Sequence, residues 1–149
     1  MVELKPMSDR RFAIWHVRIW ELYEQELIQS GMSPEAAKKN IEDGRASSMP
    51  NGVLAEDNSV FEVLSENESI GIVWLWKDGD EWFIFDIDID EAHRGKGLGR
   101  KTMHAIETYV KNQGGSAIRL SVFGFNEIAR NLYESEGYET TRIQMKKSL

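Results

Sequence analysis

A glycine-rich turn in the middle of the chain, Arg94-Gly95-Lys96-Gly97-Leu98-Gly99-Arg100-Lys101, restricts the fold more than any other segment. Ahead of it, Trp82 to Ile89 has the composition of a strand. Behind it, Met103, Ile106, Tyr109 and Val110 share one face of a helix. A strand that turns through glycines straight into a helix points the unpaired N–H groups of the first helical turn at one spot, with the positive end of the helix dipole behind them. Glycine also lets the backbone come close to a ligand. Arg94, Lys96, Arg100 and Lys101 add positive charge there, in a chain whose formal net charge is −7. The turn therefore suits an anion such as a pyrophosphate.

Two common phosphate-binding patterns do not fit. The Walker pattern ends in Gly-Lys-Ser/Thr, and here Arg100 follows Gly99. The dinucleotide pattern Gly-x-Gly-x-x-Gly needs glycine where Arg100 stands, near the first strand of an alternating fold. What remains is Arg-x-x-Gly-x-Gly between a strand and a helix.

The flanking pattern predicts a mixed α/β fold. Val2 to Met7 reads as a first strand, and Ser8 or Asp9 as the cap of a helix running to about Ser30, with Phe12, Trp15, Ile19, Leu22, Tyr23 and Leu27 as its apolar stripe. Gly31 ends it. Ser33-Pro34-Glu35 opens a second helix to about Asp43, followed by a loop from Gly44 to Asn58. Val60 to Leu64, Ile70 to Trp76 and Trp82 to Ile89 form an antiparallel meander, with Lys77-Asp78-Gly79-Asp80 as one of its turns. After the glycine turn and its helix, Gly114-Gly115 is a stop and Ile118 to Phe123 a strand, so strand, helix and strand imply a parallel pairing. A short helix carrying Ile128, Ala129, Leu132 and Tyr133 ends at Gly137, and a last strand is expected near Thr140 to Met145.

The 149 residues have the usual size of a single domain. The absence of cysteine excludes a disulfide framework, a thiolate zinc site and a cysteine nucleophile. No secretory pattern opens the chain and no run approaches a membrane span, so a cytoplasmic protein with no membrane partner is expected. The acidic balance disfavours nucleic acid and favours a cationic partner. His16, His93 and His104 share no ligand spacing, so no metal is expected.

Two signatures resemble the GNAT superfamily of N-acetyltransferases. Arg94-Gly95-Lys96-Gly97-Leu98-Gly99 is similar to that family's coenzyme A loop, and Asn126-x-x-Ala129-x-x-Leu132-Tyr133-Glu134-x-x-Gly137-Tyr138 to its second motif. The resemblance extends over nearly the whole chain and implies a single N-acetyltransferase domain, residues 1–149, with acetyl-CoA as co-substrate. It further implies that Arg94, Gly95, Lys96, Gly97, Leu98, Gly99 and Arg100 receive the pyrophosphate. Ile87 and Ile89 would bind the pantetheine arm and thioester carbonyl through their backbone, where a fixed N–H stabilises the charge that grows on attack. Asn126 would contact the pantetheine or simply cap its helix. Tyr133 would protonate the departing thiolate.

The acceptor implied is a small-molecule or peptide amine, with a small cationic amine favoured, attacking directly while both substrates are bound. A homodimer is compatible with the family. The alternative class is a non-catalytic module that binds acyl-CoA as a sensor. The base is less defined: the positions where relatives carry glutamate match Ser121 and Phe83. In their place Asp86, Asp88 and Asp90 alternate with isoleucines at the end of a strand. They either face solvent and pair with nearby cations, or a bulge or splay turns Asp86 or Asp88 into the acceptor cleft. Asp88 is the carboxylate selected as catalytic, with Asp86 and water as the other proton acceptors. Trp74, Trp76, Trp82, Trp15, Trp20 and Tyr23 read as packing residues, Glu24 and Glu26 as water-facing, and Lys146-Lys147 as a solvated tail.

Overall fold

The computed structural model describes residues 1–149. Its strands are β1 (Val2–Pro6), β2 (Asn58–Ser65), β3 (Glu68–Asp78), β4 (Glu81–Ile89) and β5 (Ala117–Leu120). Its helices are α1 (Asp9–Gln29), α2 (Pro34–Ser48), α3 (Leu98–Asn112) and α4 (Glu127–Ser135). The strands form one sheet in the order β1-β2-β3-β4-β5, antiparallel except for the parallel β4–β5 pair. No helix is long and apolar enough to cross a membrane.

Local chemistry places the helix starts. The Ser8 hydroxyl accepts from the Arg11 N–H and the Ser33 hydroxyl from the Ala36 N–H, each at 3.2 Å, with Pro34 in the first turn of α2. The sheet then separates two cores. On one side Val73, Leu75, Trp82 and Ile84 pack against Met103, Ile106 and Val110 of α3. On the other, Val60 and Trp74 meet Trp20 and Leu27 of α1, Ala37 and Ile41 of α2, and Met49. Each fully buried side chain of this size contributes roughly 1.5–3 kcal/mol.

Four details depart from the sequence expectation. Leu22 is 40% exposed, and Trp20 takes the buried place on α1. The second helix does not stop at Asp43, because Gly44 lies against the Trp20 ring, where a Cβ would come within 3.2 Å of it, and the helix continues until Ser48 and Met49 are buried. Strand β5 ends at Leu120 rather than Phe123, where it parts from β4. The strand expected near Thr140 to Met145 does not form: β5 presents only four residues of edge, Ile143 and Met145 stay 68% and 86% exposed, and Lys146 bonds the Gly31 carbonyl at 2.7 Å instead.

Two irregularities in β4 prepare the site. Trp74 pairs with Asp86 but Leu75 pairs with Ile84, so Phe85 is an extra residue, a β-bulge. Before it, Trp82 and Ile84 face α3; beyond it, Ile87 and Ile89 face that side. Asp86 thereby lies beside Trp74 on the face covered by α1. The second irregularity is that β5 pairs with β4 only from Glu81 to Ile84, leaving the rest of that edge of β4 without a strand.

Candidate active site

The glycine turn is built as an open cradle. Gly95 (φ 77°) and Gly97 (φ 74°) adopt the left-handed conformation that side chains resist, and a Cβ on either would meet no atom within 4 Å. Gly97 is the residue before α3, and no side chain caps that helix, so its first N–H groups remain available to an anion. The four cations of the segment divide into two pairs. Arg94 reaches back to β4, with Nε donating to the Ile89 carbonyl at 2.7 Å and Nη2 to Asp88 Oδ1 at 3.1 Å. Arg100 binds Glu136 and, at 3.0 Å, the Ser135 hydroxyl, tying α3 to α4. Lys96 and Lys101 are exposed at the turn and make no ion pair.

The cradle stands at the end of the unpaired part of β4. The Asp90 N–H donates to the Ile70 carbonyl at 2.8 Å, toward β3, and alternation then turns the backbone groups of Ile87 and Ile89 to the open edge. The Ile89 carbonyl, which takes the Arg94 bond, is on that edge. An extended ligand carrying amides can pair there as a strand would.

The acids near this edge are not equivalent. Asp88 is half-exposed and paired with Arg94. Asp86 is partly buried: that burial raises its pKa to about 7, the charges of Asp88 and Glu26 add to the rise, and the Ile87 N–H opposes it. The bulge at Phe85 puts Asp86 and Asp88 on the same face, and Asp86, beside Trp74, is the more buried of the two. Tyr133, on α4, is half-buried, its ring 6.0 Å from that of Tyr138. Burial first, and then the charge of Asp86, pushes its pKa up to about 12, so it carries its proton at neutral pH. Asn126 caps α4, its Oδ1 accepting from the Ala129 N–H at 3.2 Å.

Two contributors were not singled out in the sequence. Glu26 was expected to face water, but it is half-buried and its pKa is raised by burial and by Asp88. Its helical signal was its spacing of three from Tyr23 and its adjacency to buried Leu27. Glu136 holds His104 at 2.7 Å as well as Arg100, and the His104 hydrogen bond leads in lowering its pKa. Nothing in the local sequence marks that pairing, because its partners lie on another helix. No group of three or more acids and histidines is disposed to hold a metal ion.

The sequence matches the profile of the Acetyltransferase (GNAT) family over residues 16–138, a span that includes the cradle, the open edge and Tyr133. The chain belongs to the GNAT acetyltransferase family. It is 27% identical to the N-acetyltransferase YycN of Bacillus subtilis across 99% of both chains, and 29% identical to YdgE of the same organism across 98% of this chain and 97% of that one. The solved structure of YycN superposes with a TM-score of 0.91, at 26% identity, over 100% of this chain and 99% of that one. PaiA N-acetyltransferase from Thermoplasma acidophilum, solved in complex with coenzyme A, shares the fold at a TM-score of 0.66 and 14% identity, over 97% of this chain and 93% of that one. For a GNAT acetyltransferase the donor is acetyl-CoA, and the residues here fit it. The uncapped helix and open glycines suit its pyrophosphate, and the unpaired β4 edge suits its amide-bearing arm.

Proposed function

We propose that the chain transfers an acetyl group from acetyl-CoA to a primary amine of a small cationic acceptor, by direct attack with both substrates bound. The observation that carries this is the stretch of β4 from the bulge to the glycine turn, whose outer edge has no strand beside it. Lys96, Lys101 and the first N–H groups of α3 take the pyrophosphate, and Arg94 orients the end of β4. The backbone at Ile87 and Ile89 aligns the pantetheine arm and donates to the thioester oxygen as it gains charge. The acceptor nitrogen must be neutral to attack, and its proton passes to Asp86, to Asp88 or to water; Asp86, poised near pH 7, is the best matched. As the carbon–sulfur bond breaks, the Tyr133 phenol gives its proton to the thiolate. An N-acetyl amine and free coenzyme A result.

The test pairs calorimetric titration with acetyl-CoA and a thiol-release assay over a panel of amines, using the intact chain and Gly97→Glu. That substitution puts bulk and negative charge where a Cβ now meets nothing. Donor binding lost in the variant, with amine-dependent thiol release by the intact chain, is the expected result. Donor binding without release on any amine would favour the acyl-CoA-binding module. Absence of donor binding would refute both.

A further inference from the structure

One carboxylate joins the two helices of the proposed site. Arg100 and His104 stand one turn apart on α3 and converge on Glu136, the residue that ends α4: Arg100 Nη1 donates to its Oε1, and His104 Nε2 lies 2.7 Å from its Oε2. The Glu136 side chain is 12% exposed, against 47% for Arg100 and 56% for His104. Arg100 also donates to the Ser135 hydroxyl, which in turn donates to the Leu132 carbonyl at 2.7 Å. An isolated surface ion pair contributes little, but a carboxylate held through both oxygens within a network is the exception.

The helix that this carboxylate anchors has little burial of its own. None of the nine residues of α4 is fully buried, and Leu132 and Tyr133 reach the core only as half-buried side chains. Leu132 also marks how near α3 lies, because a Cβ on Gly99 would come within 3.3 Å of its Cδ2. Glu136 follows Tyr133 by one turn, and its N–H donates to the Leu132 and Tyr133 carbonyls, each at 3.1 Å. Its side chain therefore ties the backbone of Tyr133 to the helix whose first turn forms the glycine cradle.

Resting on Tyr133 as the proton donor of the proposed transfer, we propose that Glu136 is a positioning residue for that phenol. By gripping Arg100 and His104 it fixes α4 against α3, and so keeps the Tyr133 hydroxyl where the departing thiolate can take its proton. Glu136 acts through Tyr133 and not on either substrate. Proton transfer needs heavy atoms within about 2.6–3.2 Å, so a small displacement of α4 is felt in kcat rather than in acetyl-CoA affinity.

The experiment is a double-mutant cycle on the full chain. It reads kcat and KM by thiol release, with the amine of the panel that the intact chain acetylates fastest, and acetyl-CoA affinity by calorimetry. Glu136→Ala should lower kcat about tenfold while acetyl-CoA affinity stays within about threefold. In the Tyr133→Phe background the same substitution should cost less than about twofold, because the phenol it positions is gone. Glu136→Gln, a milder change that keeps one neutral acceptor, should lower kcat about threefold in the native background and again almost nothing in Tyr133→Phe. Glu139→Gln, which removes an exposed charge just beyond α4, should leave kcat unchanged. A native kcat in Glu136→Ala, a loss of equal size in both backgrounds, or a loss carried by weakened acetyl-CoA binding overturns the proposal. Failure of the underlying reading shows separately, as a native kcat in Tyr133→Phe alone.

Discussion

Replacing Asp86 by asparagine should make the protein more stable above neutral pH while impairing transfer. An ordinary aspartate titrates at 3.8, and Asp86 in the folded chain at about 7. The folded state therefore holds this proton to higher pH than the unfolded chain does. With respect to this group, stability is greatest below about pH 4, falls as pH rises between the two values, and levels off above about 7. The gap corresponds to about 4 kcal/mol at 1.36 kcal/mol per pH unit, and residual solvent contact and the neighbouring acids reduce the expected effect to about 2 kcal/mol. Urea unfolding of the native chain and of Asp86→Asn at pH 5 and at pH 8.5 measures it directly. Because more than a third of the effect is already spent at pH 5, the variant should gain on the native chain by about 1 kcal/mol on going from the lower to the higher pH. An advantage that does not change with pH would refute the enclosed, uncompensated carboxylate, and with it the assignment of Asp86 as proton acceptor.

Tyr133→Phe should lower kcat by about a hundredfold while acetyl-CoA affinity by calorimetry stays within a few-fold, the signature of a proton donor rather than a binding group. Because burial holds this phenol at about 12, the native enzyme should show no alkaline loss of activity assignable to it below about pH 11. Gly71→Ala places a methyl 2.2 Å from the backbone carbonyl oxygen of Asp88, so β4 must shift away from β3. A loss of about 3 kcal/mol in urea unfolding is expected, with weaker acetyl-CoA binding, because the same stretch forms the open edge. Unaltered donor affinity in a destabilised Gly71→Ala would detach the edge from donor binding.

Most elements were readable in the sequence because their signals are local. Ser8 and Ser33 cap their helices through a hydroxyl three residues from the N–H it accepts. Gly95 and Gly97 mark a turn that only positive φ allows. The misreadings share a different origin. The extension of α2 past Gly44 depends on the Trp20 ring of another helix, and the missing strand at Thr140 to Met145 on how little edge β5 offers. Alternating composition in that last segment could not reveal whether a partner strand was there. Glu26 looked solvated because its neighbours on β4 lie some sixty residues further along the chain.

The sequence by itself determined the parts proposed to hold the donor: a strand, a glycine turn with its cations, a helix behind it, and a tyrosine one motif later. Those parts work through backbone conformation and short spacing, which residue types dictate. The surroundings of Asp86, the proposed proton acceptor, were decided by the tertiary structure. The bulge at Phe85 reverses which face Asp86 and Asp88 occupy, the separation of β5 from β4 at Ile84 opens the edge, and α1 brings Glu26 near enough for its charge to act on Asp86. A one-residue slip in strand register exchanges the two faces of a sheet, and burial then sets which carboxylate keeps its proton. Both depend on contacts between distant segments.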